Sequence, residues 1–266
     1  MMNGDPVARE GDQRKPLGGR VYGTIPHLPS SRLGPGDHHC SEGQALICTV
    51  KTRDKKDVVI VQMKLDGSCC IVARMEHDVL ALTRAGYAAT TSPYEQHYLF
   101  AALVREHRQA FLDMLQPGER VAGEWVAQAH GTRYVLGDDD EPFVVFDILD
   151  RRQRTKSGDR RTPCLEMLER VDAVVLANGH RLPRVPTFWC SRSPLSIAEA
   201  LRGLDGLRAH KALDPHEGCI WRVERNGAED FLAKYVRPDK RDGLYLPEVS
   251  GAAPVWNWRP RRHGAR

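Results

Sequence analysis

The chain has 266 residues, 41% of them hydrophobic, which is enough for one large domain or two small ones with a real core. Its net charge of +4 neither demands nor excludes a nucleic-acid partner. The absence of a basic-then-apolar leader, or of any run of about 18 apolar residues, disfavours secretion and membrane spanning. Seven cysteines, two adjacent (Cys69 and Cys70) and the rest scattered, do not make a disulfide framework, so a soluble cytoplasmic protein with no membrane partner is expected.

Residues 1–20 are rich in Gly, Pro, Asp, Arg and Gln with little to bury, and a disordered leader is expected there. Asp37-His38-His39-Cys40 has no second Cys/His pair at zinc spacing and is expected to be loop. The β-branched run 58–63 predicts a buried strand. It is followed by Lys64-Leu65-Asp66-Gly67, whose Asp-Gly pair predicts a hairpin turn into a second strand at 68–74. Apolar residues at helical spacing predict one helix over 94–115, ended by Pro117-Gly118. Further strands are predicted at 120–127, 143–149, 218–224 and 230–236, and helices at 163–177 and 194–207, the latter starting at Ser193-Pro194. Strands grouped around helices without βαβ alternation predict an α+β fold with antiparallel sheets flanked by helices. The expected organisation is a catalytic domain over 21–245 and a basic tail over 246–266. The 32 residues after Lys234 leave no room for an OB-fold domain. Basic clusters at 151–156, at Arg160-Arg161 and at 259–263 suit phosphate neutralisation or a solvated surface.

Lys-x-Asp-Gly alone is a weak motif, but here it heads an ordered series. Arg84-Ala85-Gly86 lies 20 residues on, followed by Gly123-Glu124, Phe143-Val144-Val145-Phe146-Asp147-Ile148, Glu217-Gly218-Cys219-Ile220-Trp221 and Leu232-Ala233-Lys234-Tyr235-Val236-Arg237. From about Tyr22 to Tyr245 this series resembles the covalent nucleotidyltransferases, and within them the ATP-dependent RNA ligases of the RNA-repair type. Upstream, Ile25-Pro26-His27-Leu28 fits the same likeness.

The resemblance implies a nucleotidyltransferase fold and a lysyl-AMP intermediate at Lys64, followed by transfer of AMP to a 5′-phosphate RNA end and sealing to a 3′-OH. It implies ATP and Mg²⁺ (or Mn²⁺) as cofactors, RNA as partner, and a possible protein partner supplying a C-terminal function. Residue by residue, Arg84 matches the basic residue that contacts nucleotide or terminal phosphate, and Glu124 the carboxylate near the ribose and a metal. Phe146 matches the aromatic that stacks on adenine, Glu217 the acid that organises the metal, and Lys234 the phosphate-binding lysine. Asp147 falls on the motif's acid without an assignable task. Two positions depart from the pattern: Val236 stands where many relatives have a second lysine, with Arg237 next, and Cys69 stands where some RNA ligases carry an amide. A free lysine, with a pKa of about 10.4, is protonated at neutral pH, so Lys234 or the metal is expected to depress Lys64 for attack. A DNA ligase or capping guanylyltransferase, and a nucleotide- or RNA-binding module without chemistry, remain the alternative readings.

Overall fold

The computed structural model describes residues 15–155, 158–207 and 212–260. Among the described residues nine strands form two sheets, and every strand pair within them is antiparallel. The four-stranded sheet has the order β7 (Thr187–Ser191), β1 (Asp57–Lys64), β8 (Gly218–Arg225), β9 (Ala228–Val236). The five-stranded sheet runs β3 (Val79–Thr83), β2 (Ser68–Arg74), β4 (Glu119–Trp125), β5 (Phe143–Thr155), β6 (Gly158–Arg161). Six α-helices among the described residues accompany them: α1 (Glu42–Thr49), α2 (Glu95–Glu106), α3 (Arg108–Met114), α4 (Cys164–Asp172), α5 (Ile197–Gly206) and α6 (Pro247–Ser250). The expected α+β class with antiparallel sheets is what the chain adopts. Among the described residues, no helix is long and apolar enough to cross a membrane.

Strict alternation along three strands decides which residues enter the core. Val59, Val61 and Met63 of β1, Cys219, Trp221 and Val223 of β8, and Phe231, Ala233 and Tyr235 of β9 pack with Ala45 and Cys48 of α1 and Ala200 and Leu204 of α5. Their neighbours Gln62, Lys64, Ile220, Arg222, Leu232 and Lys234 therefore face the other way, into a cleft. On the five-stranded sheet, Cys70, Val72, Val121, Trp125, Phe143 and Val145 pack against Phe100, Leu103 and Phe111 of α2 and α3 and against Met167 and Val171 of α4.

The expected hairpin between residues 58–63 and 68–74 does not form. β1 pairs with β7 and β8, whereas β2 pairs with β3 and β4, so Leu65-Asp66-Gly67 crosses from one sheet to the other. The crossing is held by partners no local turn supplies. The Asp66 amide donates to the Tyr134 hydroxyl (3.0 Å) and the Gly67 amide to Glu124 (2.9 Å). The Asp66 carboxylate accepts from the Gly131 amide and the Thr132 hydroxyl, both at 3.1 Å.

The expected helix over 94–115 is two, broken at buried His107, whose ring nitrogen accepts the Ala177 amide (3.2 Å). The helix expected over 163–177 stops at Asp172, because Val175 turns to bridge Arg181. The helix expected from 194 starts at Ile197, where Ser196 and Glu199 form a capping box; the same device at Ser41 and Gln44 starts α1, which the sequence reading passed over. β3, β6 and β7 were also passed over.

Residues 1–14 of the expected leader and residues 261–266 of the tail lie outside the described residues. The segment before the tail's end packs on the domain. Asn257 gives its side-chain amide to the Val126 carbonyl (2.7 Å) and accepts the Tyr134 amide (2.9 Å), and Trp258 sits edge-on to Trp125.

Gly218 opens β8 where the row Lys64, Gly218, Val236 crosses three strands. A Cβ there would lie 1.9 Å from the Tyr235 carbonyl oxygen, which no rotamer relieves. Gly218→Ala is expected to destabilise the fold by about 2 kcal/mol or more, read as a lower denaturant midpoint at unchanged slope.

Candidate active site

The inner faces of the two sheets enclose a cleft of about 450 Å³, within the range of small-molecule sites. Lys64, Arg84, Glu124, Phe146, Asp147 and Lys234 all line it. Glu217 precedes β8 at the position that the Lys64–Gly218 register places beside the lysine, and its carboxylate accepts from Lys64 Nζ at 2.6 Å. Every site residue singled out in the sequence thus comes to one cleft or to its lysine.

The charge state of the two lysines is the reverse of the expectation. Burial disfavours the Lys64 ammonium, but Glu217, Glu124 and Asp66 outweigh it and hold the amine above the ordinary lysine value. Lys234 is the depressed one, pulled down by burial and by the Lys64 charge against the pull of Asp37. Lys64 is thus an ammonium ion paired with Glu217, and Lys234 does not make it neutral.

Glu124 reaches the cleft from β4, opposite Cys69 of β2, and accepts the Gly67 amide. Burial, with Glu217 and Asp66 adding to it and Lys64 opposing, pushes its carboxyl up to about 7. Glu217 and Glu124 set two carboxyls beside one ammonium, and oxygen ligands of that kind suit a divalent cation. Among the described residues no three His, Cys, Asp or Glu side chains are arranged to hold a metal, so such an ion would draw its remaining ligands from phosphate and water.

Arg84 follows β3 and donates to the Gly23 carbonyl at 2.7 Å, fastening the segment Tyr22–Ile25 along the cleft wall. Gly86 makes this possible: its φ is +92°, and a Cβ would lie 2.0 Å from the Gly19 carbonyl oxygen. Phe146 stands edge-on to Tyr22, 5.3 Å between ring centroids, across the cleft from Ile220 and Leu232.

The task of Asp147 is visible in its partners. Its carboxylate accepts from the Tyr22 hydroxyl (2.6 Å), from Arg161 Nε (3.0 Å) and from Arg222 Nη2. Arg161 also pairs with Glu229 (2.7 Å), so this arginine of the Arg160-Arg161 cluster is buried in an ion network rather than offered to phosphate. Arg152 pairs with Asp150, and Arg259 pairs with Glu95 while lying over the Trp256 ring. Lys156 and residues 261–263 of the basic clusters lie outside the described residues.

The sequence reading missed Arg222, which is 1% exposed and whose Nε and Nη1 have no hydrogen-bond partner among the described residues, and it gave Gln62 and Asp37 no role in the site. Arg222 carried a signal: an arginine inside an alternating buried strand must face either the core or a polar cleft.

A sequence profile of the family described as RNA ligase matches residues 57–236. The chain belongs to the RNA ligase family. Among solved structures, a Naegleria gruberi RNA ligase variant with ATP and Mn shares 17% identity at a TM-score of 0.47, covering 69% of this chain and 51% of that one. An archaeal ATP-dependent RNA ligase shares 20% at 0.39, covering 68% and 42%. A putative ATP-dependent DNA ligase from Aquifex aeolicus shares 16% at 0.44, covering 67% and 43%. This RNA ligase family member spans about half the length of the structures it resembles. Comparison with curated proteins finds no match.

The Glu124 shift has a measurable sign. A carboxyl raised from an ordinary 4.5 to about 7 on folding stabilises the native state below pH 4.5, and that contribution is lost as pH rises through 7. Glu124→Gln keeps the acceptor for Gly67 without the charge. It is expected to melt higher than wild type at pH 8 and nearly with it at pH 5, by differential scanning calorimetry.

Proposed function

We propose that the protein is an ATP-dependent RNA ligase acting through covalent adenylylation of Lys64. The single observation that carries this reading is the convergence of Lys64 of β1, Glu217 at the residue before β8 and Lys234 of β9 at a cleft whose other wall bears Phe146 and Glu124. A binding module has no need of a half-buried lysine flanked by two carboxyls.

In the first step the Lys64 amine attacks the α-phosphorus of ATP, forming an N–P bond and expelling pyrophosphate. The Lys64 ammonium must first lose its proton. Burial favours that loss, and Glu217, Glu124 and Asp66 oppose it, so uptake of the Glu217 charge by another cation assists attack. Mg²⁺ or Mn²⁺ held by Glu217 and Glu124 would supply counter-charge to the phosphates. Lys234 sits two strands from Lys64, suited to neutralising charge that builds on the α-phosphate. Phe146 on one side, with Ile220 and Leu232 on the other, makes a slot for the flat face of a base. AMP then passes from Lys64 to the 5′-phosphate of an RNA end, and a 3′-hydroxyl attacks that phosphate and releases AMP.

Incubation with α-labelled ATP and Mg²⁺ or Mn²⁺ is expected to give label on the protein that survives denaturation and alkali and is released by acid, as an N–P bond requires. Lys64→Ala should abolish it, and so should Lys64→Arg, because guanidinium stays charged at any useful pH. Glu217→Ala should lose the label while keeping a cooperative melting transition. A labelled Lys64→Ala protein would refute the assignment of the nucleophile.

For the later steps, a pre-adenylylated strand should be sealed faster to a 3′-OH RNA end than to the matching DNA end, since only the RNA end offers a 2′-hydroxyl to donate and accept hydrogen bonds. Equal or faster sealing of an all-DNA nick would transfer the protein to the DNA ligases.

A further inference from the structure

Two stretches noted in the sequence, Ile25-Pro26-His27-Leu28 and Asp37-His38-His39-Cys40, meet at Lys234. Strand β9 is the edge of its sheet, and the loop 26–32 lies along that edge in parallel. The Lys234 amide donates to the Pro26 carbonyl (2.9 Å), the Leu28 amide to the Lys234 carbonyl (2.8 Å), and the Arg32 amide to the Val236 carbonyl (3.1 Å).

From this edge a chain of side chains leads back to the lysine. The Val236 amide donates to Ser31 Oγ (2.9 Å), and Ser31 Oγ meets His27 Nδ1 at 2.7 Å. His27 Nε2 meets Asp37 Oδ2 at 2.9 Å, the Gly34 amide donates to the same oxygen at 3.1 Å, and Lys234 Nζ reaches Asp37 Oδ1 at 3.4 Å. The donors and acceptors fix the tautomer. The Asp37 carboxylate can only accept, so His27 donates from Nε2, and the neutral ring then accepts the Ser31 hydroxyl proton at Nδ1. His27 is buried and neutral, its pKa lowered by burial and by Lys234, so it acts as a fixed donor rather than a second cation.

The geometry points to Asp37, oriented by His27 and Ser31, as the positioning residue that holds the Lys234 amine for its contact with the reacting phosphate. The circuit starts and ends on β9, so the backbone that carries Lys234 and the carboxylate that holds its amine cannot drift apart. A lysine on a four-carbon stem has many rotamers; tethering Nζ leaves the orientation that faces the cleft, and misplacement of such a group by about 1 Å can cost 10²-fold in rate. This inference rests on the proposed adenylylation for its kinetic test, and has a second test that does not.

Asp37→Asn keeps the shape and the acceptor for His27 but loses the charge that holds the amine. At saturating ATP the first-order rate constant of label transfer is expected to fall about 10-fold or more, with the KM for ATP changed much less. The fraction of protein labelled at completion and the melting temperature should be unchanged, and Asp37→Glu should recover part of the rate. A wild-type rate constant in Asp37→Asn, or a lower labelled fraction at a wild-type rate constant, would overturn the proposal, the second marking Asp37 as merely structural.

The independent reading uses protein labelled with ¹⁵N-lysine and no nucleotide. The Lys234 Nζ resonance, assigned by its loss in Lys234→Ala, should shift and exchange faster with water in Asp37→Asn. If wild type takes no label, the adenylylation reading fails and this resonance alone decides; an unmoved resonance overturns the role of Asp37.

Discussion

The buried carboxylate of Asp147 is the tie on which the cleft depends. It sits on the five-stranded sheet and takes Arg222 from the four-stranded sheet, Arg161 from the neighbouring strand and the hydroxyl of Tyr22 from the N-terminal segment. Asp147 and Arg222 are each only 1% exposed, so neither charge has water to fall back on. Removing one partner of such a pair typically costs about 3–5 kcal/mol, because the other charge stays buried and unpaired. The spacing of the sheets, and with it the width of the slot between Phe146 and Ile220, follows from that contact.

At the other end of the cleft the same currency of charge is left deliberately uneven. Lys64 is shared by Glu217 and Glu124, and the loop that follows it adds Asp66. The last of these is taken up by Lys240 (3.4 Å), Thr132 and the Gly131 amide, which fix the loop that crosses between sheets. Among the described residues Glu124 makes no ion pair of that kind, and burial, with Glu217 and Asp66, raises its carboxyl against the pull of Lys64. The cleft is therefore closed and neutral where it is structural, and short of positive charge where the phosphates of a nucleotide and their counter-ion would sit.

The strands that carry Lys64, Glu124, Phe146 and Lys234 were legible because each alternates or runs apolar over a short β-branched stretch. Helix ends were less so: capping boxes at Ser41 and Ser196 are local signals that were there to be read, whereas the break at His107 depends on an amide 70 residues away. The hairpin failed for the same kind of reason. Asp66-Gly67 has the composition of a tight turn, but its hydrogen-bonding groups are claimed by Glu124, Gly131, Thr132 and Tyr134, none of them nearby in sequence. Likewise the ordered motifs point to Lys64 and Glu217, while the charge of Lys64 could be judged only once its acidic neighbours were in place.

Lys64 and Glu217 are 153 residues apart, yet they meet because β8 lies between β1 and β9. A ribosome making this chain from its N-terminus therefore releases β1 long before the strand that completes its row. Pairings at such separation are entropically slow to close and leave apolar edges open in the meantime. Capture of a nucleotide in this cleft would report that synthesis has passed β9, so a nucleotide would meet Lys64 only in a molecule whose sheets are already assembled.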